Sequence, residues 1–264
     1  MIETLETRRL LHSFSVTADG FLAVRMLAGN DRVDLAQTST DIVATIYENG
    51  VIEDTDNFTL AQVKSVLIYG SETANVINLG NLTLPVGVDA GKGSDSVIGG
   101  AGRDTLKGGP GNDTLIGNVG DDVIDGGTGR DNLTGGLGRD ILDYSKRTEN
   151  LTIILSDTAN NGTTGENDIA TTSFEIVRGG SGNDTLGTTS SRGVTLIGNA
   201  GNDTLTGGSG NDALDGGTGL DQMNGNDGND TFYAQDGLIE TLRGGAGNDT
   251  ILTRDKKDKL FDIP

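Results

Sequence analysis

A nine-residue frame recurs twelve times along the chain and limits the fold more than any other feature. Each copy reads Gly-Gly-x-Gly-x-Asp-x-U-x, with U apolar. Six copies begin at Ala90, Gly99, Gly108, Gly117, Gly126 and Gly135, and six more at Gly179, Gly198, Gly207, Gly216, Gly225 and Gly244. Self-similarity at a short fixed period marks a solenoid, whose repeats bury their apolar side only against neighbouring repeats. The sixth position is always acidic: Asp95, Asp104, Asp113, Asp122, Asp131, Asp140, Asp184, Asp203, Asp212, Asp221, Asp230 and Asp249. The eighth is Val97, Leu106, Leu115, Ile124, Leu133, Leu142, Leu186, Leu205, Leu214, Met223, Phe232 and Ile251. A disordered Gly/Asp/Asn tract would not keep an apolar residue two places after each aspartate. Ala90, Asn118 and Asn226 each stand where the frame has glycine. Asparagine tolerates left-handed backbone better than most residues. Residues 188–197 and 234–243 fall where a copy is due. They keep Leu196 and Leu242 in register but lack the aspartate, and read as degenerate half-turns.

Composition narrows the possibilities further. Of 264 residues, 43 are glycine, 33% are hydrophobic and 4% aromatic, with no Trp, so a core of ordinary thickness is hard to build. The formal charge of −20 disfavours nucleic acid, which needs a basic face, and favours multivalent cations. The absence of Cys removes disulfides, thiolate catalysis and Cys-based zinc sites. No stretch reaches the roughly 18–20 apolar residues of a transmembrane segment. The N-terminal segment, residues 1–13, lacks the apolar core of a secretory signal and reads as a short helix or frayed end.

The repeated Gly-Gly-x-Gly-x-Asp-x-U-x resembles the repeats-in-toxin (RTX, hemolysin-type) calcium-binding family. The resemblance implies an all-β fold, a right-handed parallel β-roll (β-solenoid) with two nonapeptide half-turns per coil. The run Leu5 to Ser13 also resembles a segment near the start of many exported bacterial repeat proteins.

The residue chemistry agrees. Glycines admit positive φ and turn backbone carbonyls inward, and each Asp adds a carboxylate. Calcium takes 6–8 hard oxygen ligands, and nothing in the frame offers the nitrogen or sulfur that zinc and copper prefer. The x-U-x segment forms a short strand with U facing inward. Parity places Asp95, Asp113 and Asp131 along one edge of the first tract, and Asp104, Asp122 and Asp140 along the other. With an ion between turns i and i+2, the first tract holds roughly four Ca²⁺ and the second two to four. About eight ions would balance most of the −20 charge. The twelve aspartates are therefore the expected metal ligands.

The expected organisation is an N-terminal segment (1–13), a β-rich capping region with degenerate repeats (14–89), a first calcium-binding tract (90–143), an insert (144–178), a second tract (179–252) and a C-terminal tail (253–264). In the capping region, 21–27, 41–47 and 65–69 read as strands, Asn49-Gly50 as a turn, and 29–33 and 72–77 as worn repeats. The insert reads as an enlarged coil or a binding loop, with strands at 151–155 and 174–177. The tail breaks the period and blocks the open end of the stack.

No enzyme is expected. His12 is the sole histidine, and neither His-Glu-x-x-His nor Gly-x-Ser-x-Gly occurs. The leading expectation is an extracellular or cell-surface structural or interaction protein that folds on loading Ca²⁺. The alternative is a carbohydrate- or partner-binding module, for surface glycans or other extracellular proteins, with Tyr144, Phe174 and Tyr233 as its main aromatics. A calcium-dependent carbohydrate-active enzyme ranks below both.

Overall fold

The computed structural model describes residues 12–26, 31–156 and 161–263, and these divide between two compact units, Met1–Asp140 and Ile141–Pro264. Residues 1–11, most of the segment that resembles exported repeat proteins, lie outside the described residues. So do Gly29 and Asn30 of the first worn repeat. His12 begins a strand.

The first unit builds two sheets. In one, His12–Val16 pairs antiparallel with Phe21–Met26, and a parallel ladder follows through Ser65–Ser71, Val86–Gly91, Thr105–Pro110 and Val123–Thr128. In the other, Val51–Thr59, Asp41–Glu48 and Asp31–Gln37 form an antiparallel meander. Parallel strands Val76–Asn78, Ser96–Ile98, Thr114–Val119 and Asn132–Leu137 continue from it. Asn49 and Gly50 join two meander strands with φ of 51° and 79°, the double positive φ that a tight hairpin turn requires. Within the repeats, Leu106 lies beside Ile124 and Leu115 beside Leu133, a step of two nonapeptides per coil. Because side chains alternate along a strand, the U residues form an inward file in each sheet and are buried.

The second unit repeats the plan. One ladder runs Ile141–Asp143, Ile176–Arg178, Thr195–Ile197, Ala213–Asp215, Thr231–Ala234 and Thr250–Arg254. The other runs Thr152–Leu155, Thr185–Thr188, Thr204–Thr206, Gln222–Asp227, Thr241–Ala246 and Lys259–Phe261. Both degenerate half-turns hold register: Leu196 pairs with Leu214, and Leu242 with Met223.

The insert is an enlarged coil. Thr152 pairs with Thr185, 33 residues on, where the following coils step by 19 and 18. It is braced by side chains, with the Tyr144 hydroxyl donating to Asp168 at 2.9 Å and Arg147 gripping both Glu166 oxygens at 2.8 and 3.0 Å. The tail differs from the sequence expectation. It adds a rung of its own, since Lys259–Phe261 pairs beside Thr241–Ala246 and is the last strand of that sheet. Asp258-Lys259-Leu260 keeps the Asp-x-U spacing that sets a half-turn, although the glycines before it are gone.

Glycine is required where coils stack. A Cβ on Gly120, at φ 134°, would lie 1.8 Å from the Gly102 carbonyl oxygen of the preceding coil. Asn118 and Asn226 take φ of 75° and 72°, and a third asparagine, Asn199, takes 73° at the same frame position. Each donates its side-chain amide to a glycine carbonyl about one coil back, at 2.6 Å.

Candidate metal centre

The twelve aspartates line the turns between strands and are buried. Each column is tied by one recurring bond, in which the backbone N–H of one aspartate donates to Oδ1 of the aspartate one coil later. Asp95, Asp113 and Asp131 are linked this way at 2.8 Å per step, and Asp104, Asp122 and Asp140 at 2.7 and 3.0 Å. In the second unit the chains are Asp184–Asp203–Asp221, at 2.7 and 2.8 Å, and Asp212–Asp230–Asp249, at 2.8 and 3.0 Å. Oδ1 is thus consumed in stacking coils.

Oδ2 has a different fate. In Asp95, Asp113, Asp122, Asp203, Asp221, Asp230 and Asp249 it is buried and accepts no hydrogen bond. A buried carboxylate oxygen left without a donor is costly, and a cation is the usual remedy. The surroundings suit one. A Cβ built on Gly117 would come within 2.4 Å of Asp122 Oδ2 and 2.5 Å of the Gly135 carbonyl oxygen. The same pairing of a carboxylate with a carbonyl of the next coil recurs at Gly108, Gly198 and Gly225. Glycine leaves open a cradle whose nearest polar atoms are oxygens, and the residues fit a hard divalent cation of calcium's preferences.

The columns begin differently. Asp104, Asp184 and Asp212 each accept at Oδ2 the N–H of the second glycine of their own turn, from Gly100, Gly180 and Gly208 at 2.8, 2.7 and 2.7 Å. One coil earlier stand Val86, Leu151 and Val194, whose N–H groups donate to Oδ1. In these three columns the first carboxylate closes on its own backbone, whereas Asp95, which follows the Asn75 turn, keeps Oδ2 open. Twelve like aspartates in sequence therefore become two geometries.

The RTX calcium-binding nonapeptide repeat matches this chain over residues 89–124, 107–142, 162–186, 195–223, 215–238 and 236–255, together more than half of its length. The chain belongs to the RTX calcium-binding nonapeptide repeat family. The RTX repeats make it a calcium-binding protein whose units are parallel β-solenoids of the β-roll type. A search of curated proteins gave no match. No helix among the described residues is long and apolar enough to cross a membrane.

RTX turns of this kind collect carboxylates that resist ionising. Burial pushes the Asp95, Asp122 and Asp203 carboxyls up to about 7, and those of Asp113 and Asp230 up to about 6. Charged neighbours add to the effect, as Asp104 and Asp140 do at Asp122. In the unfolded chain these groups sit near the ordinary 3.8. The metal-free fold therefore binds more protons than the unfolded chain between about pH 4 and 7. Their contribution to stability is complete below pH 4 and is lost as pH rises through 6 to 7. In calcium-depleted buffer, circular dichroism should show more strand at pH 5 than at pH 8. With calcium present the slope reverses, since protons compete for the same oxygens. A metal-free strand signal that grows with pH would contradict this origin.

Two residues escaped the motif. Glu240, two places before Leu242, occupies the aspartate position of a degenerate half-turn and is buried, with both carboxylate oxygens lacking a hydrogen bond. Asn75, two places before Ile77, holds the same position in a worn repeat and donates its backbone N–H to Asp95 Oδ1 at 2.6 Å. The two-residue offset from the inward aliphatic would have found both; the search for aspartate did not.

Proposed function

We propose that the protein is an extracellular, calcium-rigidified structural or interaction scaffold without enzymatic activity, whose turns hold eight Ca²⁺ ions. The observation that carries the reading is the file of buried, unsatisfied Oδ2 atoms facing glycine carbonyls. Ions belong where an aspartate turn follows another one coil earlier. Asp113, Asp122, Asp131 and Asp140 meet that condition in the first unit, and Asp203, Asp221, Asp230 and Asp249 in the second. Asp104, Asp184 and Asp212 open their columns, and their turns contribute backbone carbonyls to the next site. Asp95, which follows the Asn75 turn, serves chiefly as the partner of Asp113.

The scaffold reading is supported by what faces outward. Tyr144 and Phe174, the aromatics that a glycan would stack on in the insert, are 1% exposed and belong to the core, while Tyr233 is 36% exposed. The extracellular reading predicts an affinity, because extracellular calcium modules bind at about 10⁻⁴–10⁻³ M. Calorimetric titration with native mass spectrometry should find at least eight ions, half-loaded in that range. Half-loading below micromolar calcium would sink the extracellular assignment. A glycan-array screen in calcium should be blank, and a calcium-dependent hit would replace the scaffold by a carbohydrate-binding module.

A further inference from the structure

Where the second unit nears its last coil, the frame loses its glycines and gains acids. Residues 234–243 carry Asp236 and Glu240, and the tail supplies Asp255 and Asp258 one coil later. Asp236 and Asp255 are fixed by the backbone. Asp236 accepts N–H groups from Gly219 and Leu238 at 2.8 Å each, and Asp255 accepts that of Gly237 at 2.6 Å. Asp258 in turn receives the Asp255 N–H at 2.7 Å and the Glu240 N–H at 3.3 Å.

Glu240 is not fixed in this way. Its side chain is 1% exposed, and neither carboxylate oxygen has a hydrogen-bond partner. An oxygen of Glu240 lies within 4.8 Å of one from Asp236 and one from Asp255, and these two lie within 4.8 Å of each other. Among the described residues, no lysine or arginine pairs with any of the three, although Arg254, Lys256 and Lys257 flank them in sequence. A buried carboxylate close to two others is strongly unfavourable unless a cation or a shared proton lies between them. Three carboxylates offer hard oxygen ligands alone, the donor set that calcium takes.

We propose that Asp236, Glu240 and Asp255 form a further calcium site, outside the Gly-Gly-x-Gly-x-Asp turns. Three carboxylates replace the carbonyls that the missing glycines would have turned inward. The site ties the degenerate half-turn to the tail, which explains why a tail without glycines still adds a rung to the stack.

The position tolerates an apolar residue, since Val194 fills it in the other degenerate half-turn and is buried there. This allows variants that keep the fold. Native mass spectrometry of the full chain at saturating calcium counts the ions. Glu240→Gln, Glu240→Val and the double variant Asp236→Asn/Asp255→Asn should each bind one ion fewer than the wild type. Glu240→Val should also hold its strands at least as well as wild type in chelator, because a buried charge is gone. Equal ion counts in wild type and all three variants would overturn the site. So would the loss of two or more ions from each variant, which would make Glu240 a structural element of its column. The readout is a difference between proteins, so it stands apart from the total of eight: a wrong total would fault the motif turns and leave this site untouched.

Discussion

Removal of calcium is expected to abolish most of the strand signal of both RTX tracts and to leave the N-terminal β-rich region standing. Each nonapeptide buries one sizeable apolar side chain while nine residues are ordered, and up to three of them are glycines, which lose the most freedom on folding. Several aspartates oppose folding further, because without a cation the buried Oδ2 atoms of Asp95, Asp113, Asp122, Asp203, Asp221, Asp230 and Asp249 are unsatisfied, and charges repel within a column, as Asp104 and Asp140 do at Asp122. Binding supplies the missing term. A site held at 100 times its Kd adds about 2.7 kcal/mol, and the sites of a column share turns, so loading should be cooperative. The meander at 31–59 needs no such help. It packs Val33, Leu35, Ile42, Ala44 and Ile46, all buried, within a span of 14 residues. Hydrogen exchange in chelator should therefore show lost protection across 90–143 and 179–252, with 31–59 retaining its own. Magnesium at the same concentration should not restore the tracts, since it keeps its waters and demands a tighter octahedron. Identical protection maps with and without calcium would refute a metal-dependent coil.

Most of this architecture could be read from the sequence because two constraints repeat together. The glycines fix where the chain turns, and the aliphatic two places after each aspartate fixes which face is inward. Register follows, down to Leu106 beside Ile124. What could not be read depends on neighbours one coil away. Asp104 and Asp122 hold the same position of the same nine-residue frame. One closes on Gly100 and the other leaves Oδ2 open, because Val86 and Asp104 respectively lie behind them. The insert hid its register for a related reason: Leu151 and Asp184 are bonded across 33 residues, a spacing no period predicts. Glu240 was overlooked because a longer acid at the motif position breaks the pattern while keeping its chemistry.

Asp122→Asn and Asp104→Asn should differ in kind, although both remove one carboxylate from the same column. At Asp122 the amide oxygen can still accept the Asp104 N–H, so the stacking bond survives. What disappears is the charge that faces the Gly117 cradle. The variant should lose at least one ion. Linkage then dictates the signature: each lost ion removes about 1.4 kcal/mol of stability per tenfold rise in calcium, so the slope of stability against log calcium falls. At Asp104 the carboxylate serves the Val86 and Gly100 N–H groups instead. Asparagine can satisfy only one of them and turns a donor toward the other. The cost should be about 1–3 kcal/mol, the range for a buried donor left unsatisfied. It should be the same at every calcium concentration, with the ion count unchanged. Chemical denaturation of both variants across a calcium series separates the two behaviours. Equal slopes for Asp122→Asn and Asp104→Asn would mean that the open and closed turns do not differ in their use of the metal.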